Sequence, residues 1–288
     1  MIRSKIFQRL FVLMTLAIFV SCSTKQDQAE EQTSADSVAV AAPVSARPVH
    51  WGYDGEDGPA NWASLSPVYA LCGEGKGQSP INIVKSQAKS SATWSFDYKT
   101  TSLRIAHTEH MDDILDNGHT IQVTVDEGST FTFGDKTYSL IQFHFHTPSE
   151  HMIDGKNLPM EMHLVHQSDD KSLAVVSVLF EEGKEENPNL AKMIANFPAA
   201  KGESNHITDV NLELKVNMPD HNEAFHYVGS LTTPPCSESV QWLVLGKFRK
   251  ASAAQIKAFS DRIGPNNRPV QALNERAVES GDITQGSK

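Results

Sequence analysis

The sequence predicts a mainly β single domain with a few surface helices, and three observations carry that prediction. Short β-prone runs at residues 94–98, 103–106, 121–125 and 131–133 are separated by Gly, Asp, Asn, Ser and Thr. The run Leu173-Ala174-Val175-Val176-Ser177-Val178-Leu179-Phe180 reads as a strand buried on both faces. Two longer stretches, 188–197 and 252–263, have a helical period with suitable starts and stops.

From the amino end, Arg3, Lys5 and Arg9 precede an eleven-residue apolar run over 10–20. That run is too short to span a bilayer and reads as an export signal outside the fold. Ser21-Cys22 resembles the lipobox of bacterial lipoproteins, which makes residues 1–21 the expected signal peptide and Cys22 the lipid-bearing first residue. An ordinary secretory signal is the alternative. Residues 22–49, rich in Ser, Ala, Gln, Glu and Asp with no amphipathic period, read as a flexible tether. The folded domain is expected over 50–278, with 279–288 a disordered tail. Within it, 61–71 suits short helical turns and 73–77 a loop. Gln78-Ser79-Pro80-Ile81-Asn82-Ile83 leads into a strand and receives no chemical role, and 240–248 reads as another buried strand.

The formal net charge is −10, and no basic cluster interrupts it. This argues against a nucleic-acid partner and leaves membrane contact to a lipid anchor.

The chemistry sits in two strands, Gln142-Phe143-His144-Phe145-His146 and Met160-Glu161-Met162-His163-Leu164-Val165-His166. Alternate side chains of a strand share a face, so Gln142, His144 and His146 point one way, as do Glu161 and His163. Asp154-Gly155, a pair that tolerates positive φ, lies midway between His146 and His163, and a fold-back there brings His163 opposite His146. Three imidazoles can then converge on one ion at about 2.0–2.1 Å. Gln142 and Glu161, two residues before a histidine on the same face, can accept a ring N–H and fix the tautomer that binds metal. Neutral imidazoles suit zinc, copper, iron or nickel rather than magnesium or calcium.

Five motifs then occur in a telling order: Gln78-Ser79-Pro80-Ile81-Asn82-Ile83, Phe143-His144-Phe145-His146, Ser149-Glu150-His151, Glu161-Met162-His163-Leu164-Val165-His166 and Gly229-Ser230-Leu231-Thr232-Thr233-Pro234-Pro235. Together the set resembles the alpha-class carbonic anhydrases. The resemblance implies a central, largely antiparallel twisted sheet and an active-site cleft with a metal at its base. It implies zinc-dependent, reversible hydration of carbon dioxide to bicarbonate and a proton, with Zn2+ on His144, His146 and His163. His119 is by resemblance the proton shuttle, a task suited to a side chain whose unperturbed pKa is about 6.5. Glu150, acceptor-only when ionised, would commit the Thr232 hydroxyl hydrogen and leave the Thr232 oxygen as an acceptor. The same resemblance implies that Asn266 orients His146 and that Val165, Val175, Leu231, Thr233, Val240 and Trp242 line an apolar substrate pocket. It also implies a Cys72–Cys236 disulfide. Two other classes are distinguishable: a catalytically silent binding module of the same fold, and an iron oxygenase with Glu150 or Glu161 among its ligands. A periplasmic or outer-membrane lipoprotein is expected. The oligomeric state is left open, a dimer being one option.

Overall fold

Alternation along the chain becomes a partition of side chains in space. The computed structural model describes residues 49–108, 120–218 and 221–285. Its first strands are β1 (Asn82–Ile83), β2 (Lys89–Asp97), β3 (Thr100–Thr108), β4 (Thr120–Thr124), β5 (Thr130–Phe133), β6 (Lys136–His146), β7 (Met152–Ile153) and β8 (Lys156–Asn157). They continue with β9 (Met160–Gln167), β10 (Leu173–Gly183), β11 (Glu203–Glu213), β12 (His221–Ser230), β13 (Glu238–Leu245), β14 (Arg249–Ser252) and β15 (Glu279–Gln285). The α-helices are α1 (Trp62–Leu65), α2 (Leu71–Glu74), α3 (Pro188–Ile194) and α4 (Ala253–Ile263). Among the described residues, β1, β7 and β8 form a small sheet and the rest one twisted mixed sheet. In the large sheet β10 runs parallel to β13 and β14, and β15 parallel to β2; the other described pairs are antiparallel. No described helix is long and apolar enough to cross a membrane.

The site is built on β6, β9 and β10, which lie side by side. Phe143 and Phe145 of β6, Met160, Met162 and Leu164 of β9, and Val176 and Val178 of β10 enter the larger apolar core. Positions one residue out of phase, including His144, His146, Glu161, His163 and Ser177, occupy the opposite face and are also buried. Burying a large apolar side chain contributes roughly 1.5–3 kcal/mol. A slip of one residue would send the phenylalanines into the site and the histidines into the core, so the face is strongly determined.

The register differs from the expectation. Asp154 and Gly155 do turn the chain, with φ of 48° and 80°, but they close the short β7–β8 hairpin. On the long strands His163 pairs with His144, and Glu161 with His146. This two-residue displacement keeps every side chain on its predicted face.

Helix α4 supports β6 from the core side. Ser252 and Gln255 form a reciprocal cap at its start, and Phe259 packs on Phe145 with ring centroids 4.5 Å apart. Gly264, at φ 68°, ends the helix and releases the chain into an irregular stretch beside the site. Helix α3 stops at Ile194, short of the predicted 197; beyond it the Asn196 and Phe197 N–H groups donate to the Met193 and Ile194 carbonyls in tighter i→i−3 bonds.

Residues 279–285 are not the expected disordered tail. β15 lies between β12 and β2, with Ile283 fully buried. Gly281 and Asp282 are poor strand formers, so the segment is held by its two ladders rather than by local preference. Residues 1–48 and 286–288, and with them the expected signal, Cys22 and most of the tether, lie outside the described residues.

Candidate metal centre

Each of the three histidines has one ring nitrogen engaged and one aimed inward. His144 Nδ1 donates to Gln142 Oε1 at 2.9 Å, His146 Nδ1 to the Asn266 carbonyl at 2.7 Å, and His163 Nε2 to Glu161 Oε1 at 2.8 Å. The set offers ligand atoms that lie within 4.8 Å of one another. His146 Nε2, buried, has no hydrogen-bond partner. An unmatched polar atom in the interior costs about 1–3 kcal/mol, and a metal ion satisfies it, so the residues fit such a group. Burial holds all three imidazoles below their ordinary range, His146 at about 4, which keeps them neutral and ligand-ready. Gln142 and Glu161 do what their minus-two positions predict. Asn266 acts on His146 through its backbone carbonyl, while its side chain accepts from Thr147 N–H and donates to the Phe145 carbonyl.

Glu150 closes the other side. Its Oε2 lies 3.6 Å from His146 Nε2 and 3.9 Å from His163 Nδ1, and its Oε1 accepts the Arg268 N–H at 2.8 Å. Burial pushes its carboxyl up to about 7, against the pull of His163, the Arg268 N–H and the Thr232 side-chain hydrogen bond. Beside it lies a cavity of about 20 Å³, room for a water-sized molecule. His144, His163, Val165, Val175, Leu231, Thr232, Thr233 and Trp242 line it. Val240 is not among the residues lining this cavity and packs in the same apolar cluster as Val165, Val175, Leu231 and Trp242. His119 lies outside the described residues.

Over residues 57–281 the chain matches the family described as eukaryotic-type carbonic anhydrase. It belongs to the alpha-class carbonic anhydrase family. It is similar to a carbonic anhydrase of Pectobacterium carotovorum, 41% identical over 231 residues that span 80% of this chain and 90% of that one. A Nostoc carbonic anhydrase is 40% identical over 242 residues, 84% of this chain and 90% of the other. Among solved structures, the α-carbonic anhydrase of Thermovibrio ammonificans, in complex with the inhibitor sulfanilamide, matches with a TM-score of 0.74 at 36% identity. That match covers 81% of this chain and 100% of the other. The chain is a carbonic anhydrase, as its motifs implied.

In this carbonic anhydrase Glu161 does more than orient His163. Its Oε1 also accepts from His151 Nδ1 at 2.6 Å and Ser177 Oγ at 2.6 Å, and its Oε2 from the Glu150 and His151 N–H groups at 2.7 and 2.9 Å. Burial alone would raise its carboxyl, but His151 and His163 outweigh it and hold Glu161 well below the usual carboxylate range. His151 Nε2 continues to the Tyr227 hydroxyl at 2.7 Å, which meets Ser79 Oγ at 2.9 Å. A Cβ on Gly229 would collide with Ser79 Oγ, Tyr227 and Trp242, which explains the glycine. Reading the sequence missed Ser177, Tyr227, Ser79 and Arg268. For Ser177 a signal existed, because a hydroxyl inside an all-apolar strand needs a buried partner.

The carbonic anhydrase also has the expected disulfide, Cys72–Cys236, across 164 residues. It sits in a small core with Trp51, Trp62 and Tyr69.

Proposed function

We propose that this carbonic anhydrase uses zinc, held by His144 Nε2, His146 Nε2 and His163 Nδ1, to interconvert carbon dioxide and water with bicarbonate and a proton. The observation that carries the reading is the trio of inward nitrogens, each on a ring whose other nitrogen is already committed. Zinc held there would acidify water so that a hydroxide nucleophile exists near neutral pH. A nearby divalent cation also favours the ionised form of Glu150. Ionised Glu150 accepts the Thr232 hydroxyl hydrogen, so Thr232 Oγ1 is left to accept the proton of the attacking group and orient its lone pair. Val165, Val175, Leu231 and Trp242 present an apolar wall to a small linear substrate without a strong dipole. His119 carries the released proton towards buffer.

The amino-terminal reading belongs to the same proposal. Residues 1–21 act as a lipoprotein signal, Cys22 carries lipid, and residues 22–49 tether the domain in the cell envelope, on the periplasmic side or at the outer membrane. The deciding experiment is stopped-flow carbon dioxide hydration on purified protein alongside elemental analysis. The expected result is activity with zinc near one per chain, and loss of both in His163→Ala. Full activity in that variant would refute the ligand set.

A further inference from the structure

Residues 265–273 belong to no helix or strand, yet they deliver two backbone groups to the site. The Asn266 carbonyl accepts the His146 Nδ1–H, and the Arg268 N–H donates to Glu150 Oε1. No sheet ladder fixes this stretch; the Asn266 N–H donates to the Thr147 carbonyl at 3.2 Å and the Gln271 N–H to the Pro80 carbonyl at 2.7 Å, and side chains hold the residues between. Asn266 fastens one end through Thr147 and Phe145. Arg268 fastens the other. Its side chain, 1% exposed, donates to Gln78 Oε1 at 2.9 Å, the Ser79 carbonyl at 2.7 Å and the Cys72 carbonyl at 2.8 Å, and it lies over the Trp62 ring at 5.6 Å. All four partners belong to the amino-terminal segment, which the Cys72–Cys236 bridge ties to the loop after Thr232 and Thr233.

We infer that Arg268 is a positioning residue for Glu150: its guanidinium, clamped on the disulfide-bonded amino-terminal segment, fixes the backbone N–H that holds the Glu150 carboxylate in place. The link runs from the disulfide through a buried planar fork to the carboxylate that commits the Thr232 hydroxyl. A lysine keeps the charge, but a single ammonium on a flexible stem cannot reproduce the fork's fixed geometry. The inference rests on the mechanism proposed above, in which Glu150 acts through Thr232.

Arg268→Lys and Glu150→Gln, made singly and together in the full chain with zinc supplied, test it. Arg268→Lys should bind zinc at wild-type stoichiometry and lower kcat about ten- to a hundredfold, the usual cost of losing a supporting partner. KM should change little. Added to Glu150→Gln it should cost nothing further, since both act through one carboxylate. A wild-type kcat, or an equal loss in both backgrounds, would overturn the inference. A second readout does not depend on catalysis: amide hydrogen exchange at residue 268 should quicken about tenfold or more in Arg268→Lys and in disulfide-reduced wild type, while β9 stays protected. Unchanged exchange at 268 overturns the inference. If Arg268→Lys does not fold, the reduced wild type decides by the same measure. Absence of hydration activity in the wild type would dismiss the proposed function instead, with the exchange result still deciding the role of Arg268.

Discussion

Replacing Glu161 by glutamine changes almost no volume but halves the acceptor capacity at the point where five donors converge. The Glu150 and His151 N–H groups cannot turn, so the amide oxygen must take the Oε2 position that they address. The NH2 group then faces His151 Nδ1, His163 Nε2 and Ser177 Oγ. Ser177 can rotate its hydroxyl, and His151 can move its ring proton to Nε2 opposite Tyr227. His163 can comply only by accepting at Nε2, which puts its proton on Nδ1, the atom proposed above to hold the metal. Losing two hydrogen bonds to a charged acceptor, at about 1.5–3 kcal/mol each, removes roughly 3–6 kcal/mol. That is a large part of an ordinary domain's total of about 5–15 kcal/mol. Zinc affinity should fall by at least about ten- to a hundredfold. Urea denaturation of the metal-free protein and zinc competition against a chromogenic chelator measure the two effects. A variant with wild-type midpoint and wild-type zinc Kd would refute the argument that an ionised, fully engaged Glu161 fixes the His163 tautomer.

Further outcomes follow from other groups. His119→Ala should slow hydration in dilute buffer and recover in concentrated imidazole buffer; neither defect nor rescue would mean that another group moves the proton. Burial lowers His166 to about 3, so the fold keeps it neutral while the unfolded chain takes a proton below about 6.5. Its contribution is therefore present above that pH and lost as pH falls. The difference in unfolding free energy between wild type and His166→Gln should shrink by about 1.4 kcal/mol per pH unit from 6 to 4, and a constant difference would contradict the assignment. Paired Cys72→Ser and Cys236→Ser should lower stability by up to about 5 kcal/mol on the chain-entropy account of so long a loop, read from the denaturation midpoint. An unmoved midpoint would show that the small core around Trp51, Trp62 and Tyr69 is held without the bridge.

Much of the site was legible because period two and burial agree along β6 and β9. Phe143, Phe145, Met162 and Leu164 need one face, which leaves His144, His146, Glu161 and His163 no choice but the other. The pairing of His163 with His144 was not legible. It depends on a register shift between Leu140 and Gln142 and on a side excursion through β7 and β8, neither of which alters the local pattern. Arg268 was hidden for a different reason. In Asn266-Asn267-Arg268-Pro269 an arginine reads as a solvated loop residue, and its acceptors lie far away in sequence, between Cys72 and Ser79.

β15 occupies an interior berth in the sheet, flanked by a strand from early in the chain and another from late in it. A ribosome makes those residues after the other described strands. Until they emerge, β2 and β12 each present a bare row of amide and carbonyl groups, ready to pair with any stray strand. Closure of the sheet thus waits for the strand that comes after all its other described strands in chain order, and whatever accompanies the nascent chain has two open seams to guard until then.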